Sequence, residues 1–207
     1  PAQVEKAGVE LAKSMHNPDL GIPFEETLYY LGINLLESIA TIGEKATHEI
    51  VEKAGRQAFL PIDFFKTIIT EENADLVFAT NSPRSEKAAL LAAQSLGKKT
   101  VRIDDLYGDP IIHHTLMRAL GPELYQKTSG RMLLQPDMVC FPCEYARKNF
   151  IANQHKWDVK NISDHNTLVT GQPIFDAADT LMQSKAEFNL FADCRPVVSW
   201  ILSLIHI

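Results

Sequence analysis

From Ala74 onward the chain alternates short apolar runs with helical stretches, and few architectures accommodate that rhythm. Ala74-Asp75-Leu76-Val77-Phe78-Ala79-Thr80 reads as a buried strand, and Pro83 to Leu96 as a helix ended by Gly97. Lys99 to Asp104 is the next strand, followed by helical material from Pro110 to Arg131. Asp137 to Pro142 is a third strand, with a helix from Glu144 to Asn153. Thr167 to Thr170 is a fourth strand ending at Gly171, and a helix from Pro173 to Gln183 follows. Arg195 to Trp200 reads as a last strand. Apolar strands separated by helices imply a parallel sheet whose two faces are both covered. The expected class is therefore α/β: a Rossmann-like parallel sheet with helices on both faces and right-handed crossovers.

The region before Ala74 is helical. The first 17 residues form a mostly polar helix. Phe24 to Ala54 reads as one long helix, because Leu28, Leu31, Leu35, Ile39, Ile42, Ala46 and Ile50 recur at steps of three and four. Pro23 stands near its start and Gly55 just past its end. A further helix spans Ile62 to Asn73.

In an open parallel sheet, ligands sit outside the carboxyl ends of the strands. Helix N-termini there offer free backbone N–H groups and a positive dipole end to anions. The residues that follow each strand are Asn81-Ser82-Pro83-Arg84, Asp104-Asp105-Leu106-Tyr107-Gly108-Asp109, Cys143-Glu144-Tyr145 and Gly171-Gln172-Pro173, all four sets polar or small. Asn81 or Ser82 also fits a helix cap, and Asp104 and Asp105 also fit a turn. On the functional reading one of the two aspartates is a general base or a partner for sugar hydroxyls. Glu144 suits the positive end of its helix, and Gly171 suits a backbone conformation that other residues resist. His113 and His114 are adjacent on a helix, face different directions and cannot share a metal. His114, if turned to the cleft, would move protons.

Net charge is −6, which argues against general binding to nucleic acid or to anionic membrane. No run of about 20 apolar residues is present, so no membrane span is expected. Three cysteines make no disulfide framework and suit a reducing compartment, and with no signal-peptide core a cytoplasmic protein is expected. Asn161-Ile162-Ser163 matches a glycosylation sequon, which chance explains in such a protein. Cys140-Phe141-Pro142-Cys143 has redox-motif spacing at a strand end, but Cys140 falls inside the expected strand. A metal site is not expected, because Cys194 and the scattered histidines add no ligands at usable spacing.

Three segments together resemble the N-terminal domain of GT-B fold enzymes, which include UDP-N-acetylglucosamine 2-epimerases and N-acetylglucosaminyl transferases. The first is Ala74-Asp75-Leu76-Val77, with Ala88-Ala89-Leu90-Leu91-Ala92-Ala93 and Leu96-Gly97-Lys98-Lys99-Thr100-Val101. The second is Pro136 to Pro142 with Glu144-Tyr145-Ala146, and the third is Val169-Thr170-Gly171-Gln172-Pro173-Ile174-Phe175-Asp176. The likeness covers residues 73 to 201, and residues 1 to 72 match less well. The Gly-rich loop with which the family opens is not found here, either lost upstream or absent; the epimerases' Glu-Ala-Gly-Leu-Arg-like loop is also missing, and Asp104-Asp105-Leu106-Tyr107-Gly108 takes its place.

The resemblance implies a nucleotide-sugar-dependent glycosyltransferase, with a sugar epimerase or a non-catalytic binding domain on the same fold as alternatives. It implies a sugar acceptor and a nucleotide-sugar donor as small-molecule partners, and no further cofactor. Asp104 and Asp105 would be catalytic; Asn81, Ser82, Arg84, Tyr107, His114, Glu144, Gly171 and Gln172 would bind substrate. Residues 1–170 would be the N-terminal domain, 171–190 the interdomain hinge and 191–202 the start of a C-terminal domain that supplies most of the donor pocket. The chain lacks an initiator Met, and residues 203–207 resemble translated adapter sequence, so a fragment with a non-native tail is expected.

Overall fold

The structure is a computed structural model that describes residues 2–80, 85–104, 111–128 and 130–171. Helix α1 (Ala2–Met15) leads through a short 3-10 turn to α2 (Phe24–Ile42) and α3 (Glu44–Ala54). Then come α4 (Ile62–Glu71), β1 (Leu76–Thr80), α5 (Ser85–Ser95), β2 (Lys99–Ile103) and α6 (Ile111–Lys127). β3 (Met138–Phe141), α7 (Glu144–Asn153) and β4 (Thr167–Val169) complete the described chain. The segments expected as a helix over 173–183 and a strand over 195–200 lie outside the described residues, as do the expected hinge beyond Gly171 (172–190), the expected start of a C-terminal domain (191–202) and the tail 203–207.

Two helices differ from the sequence expectation. The apolar stripe from Leu28 to Ile50 is not one helix. Gly43, at φ 85° and ψ 157°, ends α2 and starts α3. A residue with a Cβ resists that conformation, so the break is written in the glycine rather than in the apolar spacing. Helix α6 is interrupted at Gly121 (φ 75°, ψ 163°), just before Pro122, whose ring has no N–H for an intrahelical bond.

Helices α1 and α2 meet through two glycines. A Cβ built on Gly8 would stand 2.1 Å from the Leu28 carbonyl oxygen, and one on Gly32 would stand 2.2 Å from the Val4 carbonyl oxygen. Both obstacles are backbone, so neither can swing aside. Gly32→Ala is therefore expected to push α1 off α2, at about 1–3 kcal/mol. Faster amide exchange confined to residues 2–15 would show it; unchanged protection there would contradict the packing.

The sheet is parallel throughout, in the order β1-β2-β3-β4. Strand order thus follows chain order, and crossovers of one hand then deliver every connection to the same face. The core agrees. Ala79, Val139 and Phe141 on one face pack with Leu90, Leu91 and Ala92 of α5, Ala146 and Phe150 of α7, and Ile62 and Ile69 of α4. The opposite face carries Leu76, Phe78 and Leu168, which are 52%, 60% and 52% exposed. Val101, Ile103, Met138 and Cys140 lie between them, half-buried. Among the described residues, then, helices cover one face of the sheet rather than the two expected. The α/β class with a parallel sheet stands.

Candidate functional site

Register decides where the strands end. Thr80 pairs with Ile103, Ile103 with Cys140, and Phe141 with Val169. The ladder runs one step further, because the Asp104 N–H donates to the Cys140 carbonyl (2.8 Å) and the Thr170 N–H to the Phe141 carbonyl (2.9 Å). All four strands therefore finish on one edge. The helices that follow β1 and β3 begin there, α5 at Ser85 and α7 at Glu144.

Of the expected site residues, Asp104, Glu144 and Gly171 are described on this edge. Asn81, Ser82, Arg84, Asp105, Tyr107 and Gln172 lie outside the described residues, and of His114 only the backbone, in α6, is described. Asp104 is fully buried. Glu144 is bound twice by Arg147, Nε to Oε2 at 2.8 Å and Nη2 to Oε1 at 2.6 Å. That guanidinium, with help from Lys148, holds the Glu144 carboxyl below its usual range. Arg147 also reaches Asp164 (2.6 Å) and Thr167 Oγ1 (3.3 Å), so Glu144 belongs to a tie between α7 and the start of β4. Gly171 has φ 83°, in the left-handed region.

Strand β2 faces the opposite way from its hydropathy. Thr100, Arg102 and Asp104 are buried under the helices, while apolar Val101 and Ile103 face the uncovered side. The Arg102 guanidinium lies 5.1 Å from the centroid of the Phe150 ring of α7. Thr100 Oγ1 donates to Asp137 Oδ2 at 3.0 Å, and Asp137 also pairs with Lys99 at 2.7 Å, which closes the amino edge of the sheet.

This polar row continues into a cluster that the sequence did not single out. Lys87 of α5 donates to Asp158 Oδ2 at 3.1 Å, with the two side chains only 14% and 9% exposed. The Tyr125 hydroxyl of α6 donates to the same oxygen. Burial pushes the Lys87 ammonium's pKa down, Asp158 opposes that shift, and the nearby Arg102 charge adds to it. Burial first, and then Asp158, pushes the Tyr125 phenol up. Asp158 itself has φ 52°, which Asp and Asn tolerate better than most residues. One signal for Lys87 was present: it lies three and four positions before Leu90 and Leu91, which are 1% and 0% exposed.

Cys140 and Cys143 are free thiols. Burial raises the Cys140 pKa, opposite to the shift that a reactive thiolate needs. Among the described residues no group of three or more His, Cys, Asp or Glu side chains is placed to hold a metal ion. None of their helices is long and apolar enough to cross a membrane.

Compared with models of protein families, with curated proteins and with solved structures, the chain matches none.

Proposed function

We propose that residues 1–170 form the acceptor-side domain of a nucleotide-sugar-dependent glycosyltransferase. What supports the reading is the shared edge: four parallel strands end in register, and the polar segments that follow them start together there. That is the edge on which open α/β sheets bind ligands. The start of α5 suits an anionic group, with Ser82 and Arg84 just before it. Asn81, Tyr107, His114 and Gln172 offer hydrogen bonds to sugar hydroxyls.

The chemistry needs a base to take the proton of the acceptor hydroxyl as its oxygen attacks the donor sugar's anomeric carbon, whose C–O bond to the nucleotide breaks with the nucleoside diphosphate leaving with the electron pair. Asp104 or Asp105 is that base. The burial of Asp104 favours Asp105 for the contact, with Asp104 anchoring the loop's first residue through the ladder bond to Cys140. Glu144, neutralised by Arg147, shapes the edge rather than reacting. The donor is held mainly by the C-terminal domain that the resemblance implies.

Titration calorimetry of this chain tests the reading. N-acetylglucosamine should bind weakly, with a dissociation constant of about a millimolar, near −4 kcal/mol. UDP-N-acetylglucosamine should show no sub-micromolar binding. Tight donor binding without any response to the free sugar would contradict the acceptor-side assignment.

A further inference from the structure

Tyr145 stands in the first turn of α7 and is 72% exposed. Among the described residues its hydroxyl makes no hydrogen bond and its ring meets no other ring. A lone exposed tyrosine needs no explanation on most surfaces. What sets this one apart is where its helix aims it.

Three consecutive residues fix that aim. A helix turns by about 100° per residue, so Tyr145 and Arg147 flank Ala146 on opposite sides. Ala146 is buried against the sheet, as is Phe150 one turn further on. Arg147 turns toward β4: it reaches Thr167 Oγ1 at the start of that strand and Asp164 just before it. Tyr145 is therefore on the other flank, the side on which β2 lies. Side chains on a helix also lean toward its N-terminus. That end of α7 is at the carboxyl edge, because β3 ends at Phe141 and α7 begins at Glu144. The Tyr145 side chain thus leans past the helix start, over the carboxyl ends of β3 and of β2, the strand that runs out into Asp104. Glu144 is held by Arg147 and does not cover the ring.

The face of a tyrosine ring is apolar and carries the negative part of its quadrupole, which suits polarised C–H groups. A pyranose with equatorial hydroxyls presents such C–H groups on each face and its hydroxyls around the rim. One face can lie on the ring while the rim meets the polar strand ends. We propose that Tyr145 is the platform on which the acceptor sugar stacks, and that acceptors are pyranoses with an unobstructed C–H face. This role rests on the acceptor-side reading of the sheet edge and names the class of sugar that the edge takes.

Methyl N-acetyl-β-glucosaminide titrated into the whole chain is the probe, read through the sugar's own proton shifts and the protein's amide shifts. The C–H protons of one sugar face should move upfield on binding, as protons over an aromatic ring do, and those of the other face should not. Tyr145→Phe should keep that upfield shift and bind within about twofold of the parent. Tyr145→Leu, apolar but without an aromatic face, should lose the shift and bind about fivefold more weakly. The exposure of the site lets both variants fold. A Tyr145→Leu chain that binds like the parent, with amide shifts at Thr80, Asp104 and Gly171 intact, would overturn the platform and leave the acceptor reading standing. So would uridine that moves the Tyr145 amide while the sugar does not, since the ring would then stack a base. No sugar-dependent amide shift at the carboxyl edge in any of the three chains would overturn both.

Discussion

Asp158→Asn should cost this protein about 3–5 kcal/mol of stability, as removal of one partner from a buried ion pair does. Asn keeps the shape and tolerates φ 52°, so the loss isolates the charge. Without the carboxylate, Lys87 and Tyr125 both lose the charged acceptor to which they donate. Lys87→Met in the same chain should restore much of the loss, because a buried pair replaced by apolar groups is often neutral. Urea unfolding midpoints of the two single variants and the double variant measure this. Additive losses would show that the pair is not coupled.

The same cluster sets an alkaline pH dependence. The Lys87 pKa is lowered in the fold from its ordinary 10.5. Between its depressed value and 10.5 the unfolded chain holds more protons than the folded one, so stability rises with pH across that window. Tyr125 is raised above its ordinary 10.0, so above that pH the folded chain keeps a proton that the unfolded chain has lost. Stability then falls as pH rises. The two effects oppose each other, and Tyr125→Phe should remove only the falling limb. Unfolding midpoints from about pH 8 to 11 would show it.

Phe150→Ala should be as damaging, at about 3–5 kcal/mol, the usual cost of emptying a buried aromatic site. Phe150 is fully buried on α7, its ring 5.3 Å from that of Phe141 and under the Arg102 guanidinium. Its loss opens a void between helix and sheet and takes away the surface against which a buried cation rests. At this size each kcal/mol moves the melting temperature by roughly 2–4 °C, so a fall of about 6–20 °C is expected. Tyr145, on the same helix and 72% exposed, is the control, and its replacement by Ala should change stability by about 0.5 kcal/mol or less.

The strands were legible because each is a short apolar run closed by Gly, Pro or a polar cluster. Their parallel sense followed from the intervening helices. The one-sided cover did not, because nothing in a local pattern encodes strand order, and strand order decides the face on which a crossover lands. The facing of β2 was hidden for a related reason. Val101 and Ile103 look like the inward residues of an alternating strand, yet the helices cover Arg102 and Asp104. An arginine is stable there because Phe150 lies beneath its guanidinium, a residue 48 positions away in the chain. The Lys87–Asp158–Tyr125 cluster joins residues 33 and 71 positions apart, beyond the reach of any motif. Gly43 was visible in the sequence, but the apolar spacing continues through it from Ile42 to Ala46 and masks the break. The edge positions of Asp104, Glu144 and Gly171 were legible, because each lies within three residues of the end of a strand.

On the proposed function, a sugar acceptor binds at the carboxyl edge of the sheet. Amide chemical shifts of the whole chain titrated with N-acetylglucosamine test it most directly. Saturable shifts are expected at Thr80, Asp104, Glu144 and Gly171, with none at Lys99 and Asp137 on the opposite edge. Shifts at Lys99 and Asp137 that leave the carboxyl edge unmoved would contradict it.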